Sequence, residues 1–87
     1  MSRRYEVRYT PKALKEIDRL DKAQVMRIRR FFGETLDLTN PRSRGKPLVG
    51  RDEWRYRIGD YRVLCHIEDE RVVVLVVKVA HRREVYR

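Results

Sequence analysis

The residues best suited to chemistry in this chain are arginines on either side of a Gly-Asp pair, in the segment Trp54-Arg-Tyr-Arg-Ile-Gly-Asp-Tyr-Arg-Val63. A Gly-Asp pair between two alternating runs is typical of a two-residue β-hairpin turn. Counting outwards from that turn places Arg57 directly opposite Arg62. Like charges so placed destabilise a sheet, whereas guanidinium groups bind phosphate through paired hydrogen bonds. The pairing therefore predicts an anion held between the two arginines.

The same counting assigns every hairpin side chain to one of two faces, because side chains alternate along a strand. It predicts five pairs: Ile58–Tyr61, Arg57–Arg62, Tyr56–Val63, Arg55–Leu64 and Trp54–Cys65. We call the side carrying Arg55, Arg57, Arg62, Leu64 and His66 the arginine face. The opposite face carries the aromatic and apolar side chains and is expected to pack on helices.

Further basic residues surround the hairpin. Positions 42 to 62 hold seven Lys and Arg against three Asp and Glu, which favours phosphate binding over a merely solvated basic surface, although the second reading stays open. The candidate substrate-binding residues are Arg44, Lys46, Arg51 and Arg83. In the C-terminal segment His81-Arg-Arg-Glu-Val-Tyr-Arg87, histidine and tyrosine among arginines are suited to proton transfer and to base stacking on RNA; a solvated chain end or an apolar plug is the alternative.

Other kinds of site are poorly supported. Adjacent Cys65 and His66 point to opposite faces, so they form no dyad, and Cys65 is expected to be a core residue. Two histidines and one cysteine do not make a convincing metal site. The chain has no phosphate-binding glycine motif and no paired carboxylates on the arginine face, so we expect neither a metal nor a cofactor.

The elements that must position these residues follow from periodicity. Residues 5–9 alternate as a strand, Thr10-Pro11 starts a first helix, and Asp21 caps a second from Lys22 to about Leu38. The apolar stripes are Ala13, Leu14, Ile17 and Leu20, then Val25, Ile28, Phe32 and Leu36. Residues 41–53 read as a loop, and three strands follow, 54–58, 61–67 and 71–80. The last strand is apolar throughout 72–77, which predicts a central strand covered on both faces.

This order predicts a single α+β domain over residues 1–87. An N-terminal strand and a two-helix hairpin pack on one face of an antiparallel sheet, which a three-stranded C-terminal meander completes. The formal charge of +9 indicates an anionic partner. No apolar run is long enough to span a membrane and no signal peptide is evident, so we expect a cytoplasmic protein without a membrane partner.

The chain resembles the RelE/ParE superfamily of type II toxins. Three segments carry the resemblance: Asn40-Pro-Arg-Ser-Arg-Gly-Lys-Pro-Leu48, Trp54-Arg-Tyr-Arg-Ile-Gly-Asp-Tyr-Arg-Val63 and Val79-Ala-His-Arg-Arg-Glu-Val-Tyr-Arg87. The resemblance implies a microbial ribonuclease type of fold and neutralisation by a cognate antitoxin. For the RelE-like branch it implies a ribosome-dependent endoribonuclease that cleaves mRNA in the A site of the 30S subunit by 2′-hydroxyl attack. Operator DNA would be contacted only through the antitoxin.

The resemblance also implies roles for individual residues. The two basic positions of the first hairpin strand fall on Arg55 and Arg57, the arginine after the turn on Arg62, the C-terminal basic residue on Arg82 or His81, and the terminal tyrosine on Tyr86. RelE has lysines where this chain has Arg55 and Arg57, and an arginine barely accepts a proton. His81 or Tyr86 would then have to serve as the base, or cleavage would depend on positioning by the ribosome. A ParE-like inhibitor of DNA gyrase without nuclease activity, or a non-catalytic basic binding module, are the alternatives.

Overall fold

The computed structural model describes residues 3–50 and 52–84 and contains one five-stranded sheet in the order β1-β5-β4-β3-β2. The strands are β1 (Glu6–Tyr9), β2 (Lys46–Pro47), β3 (Trp54–Ile58), β4 (Tyr61–Glu68) and β5 (Val73–His81). β3, β4 and β5 form the predicted antiparallel meander, which confirms the α+β fold class. β1 runs parallel to β5, so the sheet is mixed rather than wholly antiparallel. The alternation of a strand does not reveal its direction, whereas a helical crossover permits a parallel partner.

Two helices, α1 (Pro11–Asp18) and α2 (Lys22–Arg30), cover one face of the sheet. Both begin where predicted: the Thr10 hydroxyl accepts from the Ala13 amide at 3.1 Å, and the Asp21 carboxylate accepts from the Gln24 amide at 3.0 Å. These caps satisfy amides that the first turn of a helix leaves unpaired. The first predicted stripe is wrong at Leu14, which is 49% exposed.

The predicted end of the second helix, near Leu38, is wrong. α2 ends at Arg30 and a π-helical turn, Phe31–Thr35, follows it, closed by a 2.8 Å hydrogen bond from the Leu36 amide to the Phe31 carbonyl. Gly33 lies inside this turn, where its low helix propensity removes support for the α-helical geometry. Phe32 and Leu36 are still buried, as the apolar stripe predicts.

The core lies between the helices and the sheet face that carries Tyr56, Val63 and Cys65, all fully buried. β5 is central, as predicted, and Val74 and Val76 are buried in this core. The prediction that both faces of β5 are covered is wrong for Leu75 and Val77, which are half-buried. A register shift between Leu64 and Cys65 leaves a bulge in β5 at this level.

The segment predicted as a loop contains two short elements, a 3₁₀ helix at Pro41–Ser43 and the edge strand β2. β2 pairs with the first half of β3 through Lys46–Arg55 and Pro47–Trp54. Only two residues pair, and one is a proline, so the sequence pattern of this strand is too short to detect. Among the described helices, none has the length and apolar character needed to cross a membrane.

Candidate functional site

The hairpin of β3 and β4 has the predicted register at all five pairs, including Arg57 opposite Arg62. The turn is Gly59-Asp60, and Gly59 has a φ of +60°. Glycine is favoured there because its backbone is left-handed. A Cβ atom would also lie 2.5 Å from the end of the Arg27 side chain of α2, which would have to move away. The turn residues thus decide the register, and the register places two like charges side by side.

The arginine face lies opposite the helices. Arg62 pairs with Ala80 of β5, and Arg55 pairs with Leu64, whereas Tyr56 and Val63 point into the core. Leu64 and Ala80 are buried in a second, small apolar cluster with Leu48 and Val77. Leu48 belongs to residues 41–53, which we call the basic segment. The apolar cluster therefore brings the basic segment onto the arginine face.

A cavity of about 390 Å³ opens along the edge of β3 beyond β2. Its cationic lining residues are Arg44, Lys46, Arg55 and Arg57, and Phe31, Gly45 and Tyr56 complete it. We call it the basic cavity. No acidic residue lines it, and within residues 3–50 and 52–84 neither Lys46 nor Arg57 forms an ion pair with a carboxylate. Two predicted substrate-binding residues, Arg44 and Lys46, are therefore brought together with two predicted catalytic ones.

Hydrogen bonds from the core and from a distant turn hold the basic segment in place. The buried Tyr56 hydroxyl donates to the Pro41 carbonyl at 2.6 Å, and the Trp54 indole donates to the Arg44 carbonyl at 2.8 Å. Gly45 has a φ of +82°, and a Cβ atom there would clash with the Arg55 carbonyl and the Trp54 indole. The loop backbone is thus packed directly against β3.

The distant contact is an ion pair between Arg42 and Asp69, at the turn that joins β4 and β5. The guanidinium donates to both carboxylate oxygens, at 2.9 and 3.1 Å, and the Tyr5 hydroxyl donates to the same carboxylate at 2.6 Å. Hydrogen bonding from Arg42, and then from Tyr5, lowers the pKa of Asp69, and the bond to Asp69 raises the pKa of Tyr5. Sequence reasoning missed Asp69, because nothing in a Glu-Asp-Glu turn signals a partner 27 residues away.

The C-terminal candidates do not all reach the arginine face. His81 pairs with Tyr61, and their rings meet edge to face at 5.6 Å, on the sheet face that packs on the helices. The Arg82 amide donates to the Asp60 carbonyl at 2.8 Å, which places the chain after β5 beside the hairpin turn. Arg83 is exposed, and its amide donates to His81 Nδ1 at 3.3 Å. Arg51 and Tyr86 lie outside the described residues.

The remaining titratable candidates are structural or unclustered. Cys65 is fully buried in the core and its burial raises the pKa of the thiol, which confirms it as a core residue. His66 lies opposite Leu75 and is half-buried. In the part of the chain that the structure describes, no group of three His, Cys, Asp or Glu side chains is placed to hold a metal ion.

Comparison with known proteins identifies relatives along nearly the whole chain. A family model described as ParE toxin of type II toxin–antitoxin system, parDE, matches residues 7–86. Toxin RelG of Mycobacterium tuberculosis is 36% identical over 87 residues, covering 95% of this chain and 97% of that protein.

Solved structures agree with this result. The toxin–antitoxin complex RelBE2 of M. tuberculosis matches with a TM-score of 0.81 at 30% identity, covering 93% of this chain and 94% of that one. The isolated RelE toxin of E. coli matches with a TM-score of 0.74 at 30% identity, covering 94% and 90% of the two chains.

Proposed function

Because this chain belongs to the RelE/ParE superfamily of type II toxin–antitoxin toxins, we propose that it is a RelE-like endoribonuclease that cleaves mRNA in the ribosomal A site. The observation that carries the proposal is the Arg57–Arg62 pair, which stands beside the basic cavity. Like charges at opposite positions of two strands are unfavourable by themselves, and a phosphate bound between the two guanidinium groups makes the arrangement favourable. This arrangement suits RNA cleavage more than it suits folding.

In the proposed reaction the 2′-hydroxyl of the substrate attacks the adjacent phosphorus. The 2′-oxygen–phosphorus bond forms as the bond to the 5′-oxygen breaks, which leaves a 2′,3′-cyclic phosphate and a 5′-hydroxyl. Arg57 and Arg62 hold the scissile phosphate and stabilise its developing charge, while Arg55 holds a neighbouring phosphate. One well-placed donor of this kind contributes about 3 kcal/mol to transition-state stabilisation.

Proton transfer is assigned to the C-terminal segment. The resemblance assigns protonation of the leaving 5′-oxygen to Arg82 or His81, and Tyr86 orients or stacks on the nucleotide. The Arg82 backbone adjoins the hairpin turn, whereas His81 packs on Tyr61 on the other face. Because an arginine side chain keeps its proton, Arg82 acts here by stabilising the charge on the leaving oxygen through a hydrogen bond, and solvent water delivers the proton. Since arginine side chains stay protonated, Arg55 and Arg57 do not accept the proton of the 2′-hydroxyl. That proton passes to solvent water, while the ribosome positions the mRNA so that the 2′-oxygen is aligned for attack.

The proposed partners are mRNA on the ribosome, which places the protein in the cytoplasm, and a cognate antitoxin. Structures of relatives contain toxin and antitoxin together, and a basic toxin needs such a partner in its own cell. Contact with operator DNA would be indirect, through the antitoxin.

A second function, inhibition of DNA gyrase, is favoured by the family model, which is that of the ParE toxins. The arginine pair and the basic cavity argue for the nuclease, because gyrase inhibition does not require a phosphate clamp. A basic module that binds RNA without cleaving it is the third possibility.

One experiment separates the three. End-labelled mRNA is incubated with purified protein, with and without ribosomes, and a parallel reaction contains gyrase and supercoiled DNA. We expect cleavage of mRNA only with ribosomes and no gyrase-dependent DNA breaks. Breaks in DNA with intact mRNA would establish the ParE-like function, and neither product would leave a binding module.

A further inference from the structure

The basic cavity contains an aromatic side chain, Phe31, to which the proposed mechanism gives no role. Phe31 is half-buried, whereas the other aromatic residue of the lining, Tyr56, is fully buried. Phe31 therefore supplies the aromatic surface that a ligand meets in this cavity, among four cationic lining residues.

The π-helical turn places Phe31 there. The turn starts at this residue, and its defining hydrogen bond, from the Leu36 amide, is accepted by the Phe31 carbonyl. Local π-helical geometry is rare and is frequent at functional sites. Here it lets two consecutive phenylalanines, Phe31 and Phe32, both lie against the β3 side of the core.

The ring is held in a defined orientation. Its centroid lies 5.1 Å from that of Phe32, with the planes at 84°, and 5.2 Å from that of Tyr56, with the planes at 56°. Such edge and tilted contacts fix an aromatic ring without a stacked partner on its face. The ring is thus anchored by the core on one side while part of its surface remains exposed in the cavity.

A ligand that suits this cavity needs two chemical features. Arg44, Lys46 and Arg57 favour phosphate oxygens, and the Phe31 ring favours a flat unsaturated group. A polyphosphate or an acidic peptide would use the cations alone. A cavity of about 390 Å³ also lies within the roughly 300–1,000 Å³ typical of small-molecule sites.

We propose that Phe31 is a base-stacking residue, and that the basic cavity is a nucleotide subsite that takes an unpaired RNA base next to the scissile phosphate. The inference rests on the proposed nuclease function and deepens it. Stacking on an aromatic face is available to every base, so this subsite strengthens binding without selecting a sequence.

The test measures the binding of two short RNAs at low salt, one intact and one abasic at a single position, both with 2′-O-methyl riboses that prevent cleavage. The wild-type protein should bind the abasic RNA about 5- to 100-fold more weakly at one position of the series. Phe31→Leu should bind the intact RNA as weakly as the wild type binds that abasic RNA, and should no longer distinguish the two. Phe31→Tyr should restore the difference.

Tyr9→Leu is the matched control, because Tyr9 is also half-buried and also meets Phe32 edge to face, at 6.3 Å, but does not line the basic cavity. It should keep the wild-type sensitivity to the missing base. If Phe31→Leu fails to fold, photocrosslinking of 5-iodouridine RNA to the wild-type protein replaces it, and mass spectrometry should locate the adduct at Phe31.

Equal binding of intact and abasic RNAs by the wild type, or crosslinks at other residues alone, would overturn the inference. These results leave the proposed function standing if the wild type still cleaves mRNA on the ribosome. If the wild type neither cleaves mRNA on the ribosome nor binds the short RNAs, both the inference and the proposed function are overturned.

Discussion

At the scale of single residues, the informative feature is a pair of like-charged residues at opposite positions of two adjacent strands. Arg57 and Arg62 are opposite each other in adjacent strands, and β4 is secured on its other side by eight pairs with β5. The sheet can therefore accommodate a like-charge pair, which typically costs a few tenths of a kcal/mol or more. Arginine rather than lysine at positions 55 and 57 favours bidentate phosphate binding over proton abstraction.

The phosphate-clamp role of Arg57 is tested by Arg57→Ala. Ribosome-dependent cleavage should fall by about 10²-fold or more, while Tm should stay unchanged or rise slightly, because a like-charge contact is removed. The control is Arg71→Ala, which removes the same charge from an exposed arginine that pairs with Glu68 at 3.1 Å, next to the β4–β5 turn. Comparable losses in both variants would show that only net charge matters.

The position of His81 leads to a separate prediction about pH. Since His81 packs on Tyr61 and not on the arginine face, His81→Gln should retain cleavage within about threefold of the wild type. Single-turnover rates of the wild type should be flat between about pH 5.5 and 8, the range in which a histidine acid would titrate. A rate that titrates there, combined with a loss of about 10²-fold in the variant, would return proton transfer to His81.

At the scale of elements, the rest of the domain holds the basic segment against β3. Its backbone is fixed by Tyr56 at Pro41 and by Trp54 at Arg44, and Arg42 is tied to Asp69 of the β4–β5 turn. The basic segment carries Arg44 and Lys46, so its position decides whether these cations lie close to Arg55 and Arg57.

Asp69→Asn distinguishes a positioning role of the Arg42–Asp69 ion pair from an effect of net charge, because the two predict opposite changes in RNA affinity. The variant raises the formal charge from +9 to +10, which by itself should strengthen RNA binding. If the Arg42–Asp69 pair positions the basic segment, RNA binding and cleavage should weaken instead, by about threefold to tenfold. Acrylamide quenching of Trp54, the single tryptophan, should increase in parallel.

The same ion pair makes the attachment of the basic segment dependent on pH. The pKa of Asp69 is lowered in the folded protein, so its contribution to stability is complete above the ordinary aspartate value of about 3.9 and is lost as the pH falls through the lowered pKa. Quenching of Trp54 in the wild type should therefore stay low at the ordinary aspartate pKa, rise only as the pH falls through the lowered pKa of Asp69, and then approach that of Asp69→Asn. Tighter RNA binding by the variant, with unchanged quenching, would contradict the positioning role.

At the scale of the whole molecule, the charge of +9 and the exposed apolar surface point to different aspects of one partner. A groove of about 600 Å³ follows β1 between the helices, and its walls include Val7, Leu14 and Phe32. Apolar contacts of this kind determine how long a partner stays bound, whereas complementary charge mainly accelerates association. We expect a cognate antitoxin segment that is disordered when free, folds against apolar surface and places acidic side chains near Arg55, Arg57 and Arg62.

The salt dependence of antitoxin binding tests this division. Raising salt from about 0.05 to 0.5 M shortens the screening length from roughly 14 to roughly 4 Å. Stopped-flow measurements should then show that association slows much more than dissociation accelerates. An association rate that does not change with salt, or a neutralising segment without acidic residues near these arginines, would contradict the expected complementarity.

Local chemistry in the sequence was sufficient to predict the hairpin register, the two helix caps and the separation of arginine and core faces. Each depends on neighbouring residues: a Gly-Asp turn, Thr10 and Asp21, and strict alternation. The parallel pairing of β1 with β5, the π-helical turn at Phe31 and the placement of His81 on the helix-packed face required the tertiary structure. The Arg42–Asp69 ion pair did too, because its partners are distant in sequence. These features depend on which surfaces meet after the chain has folded, and no local pattern records that.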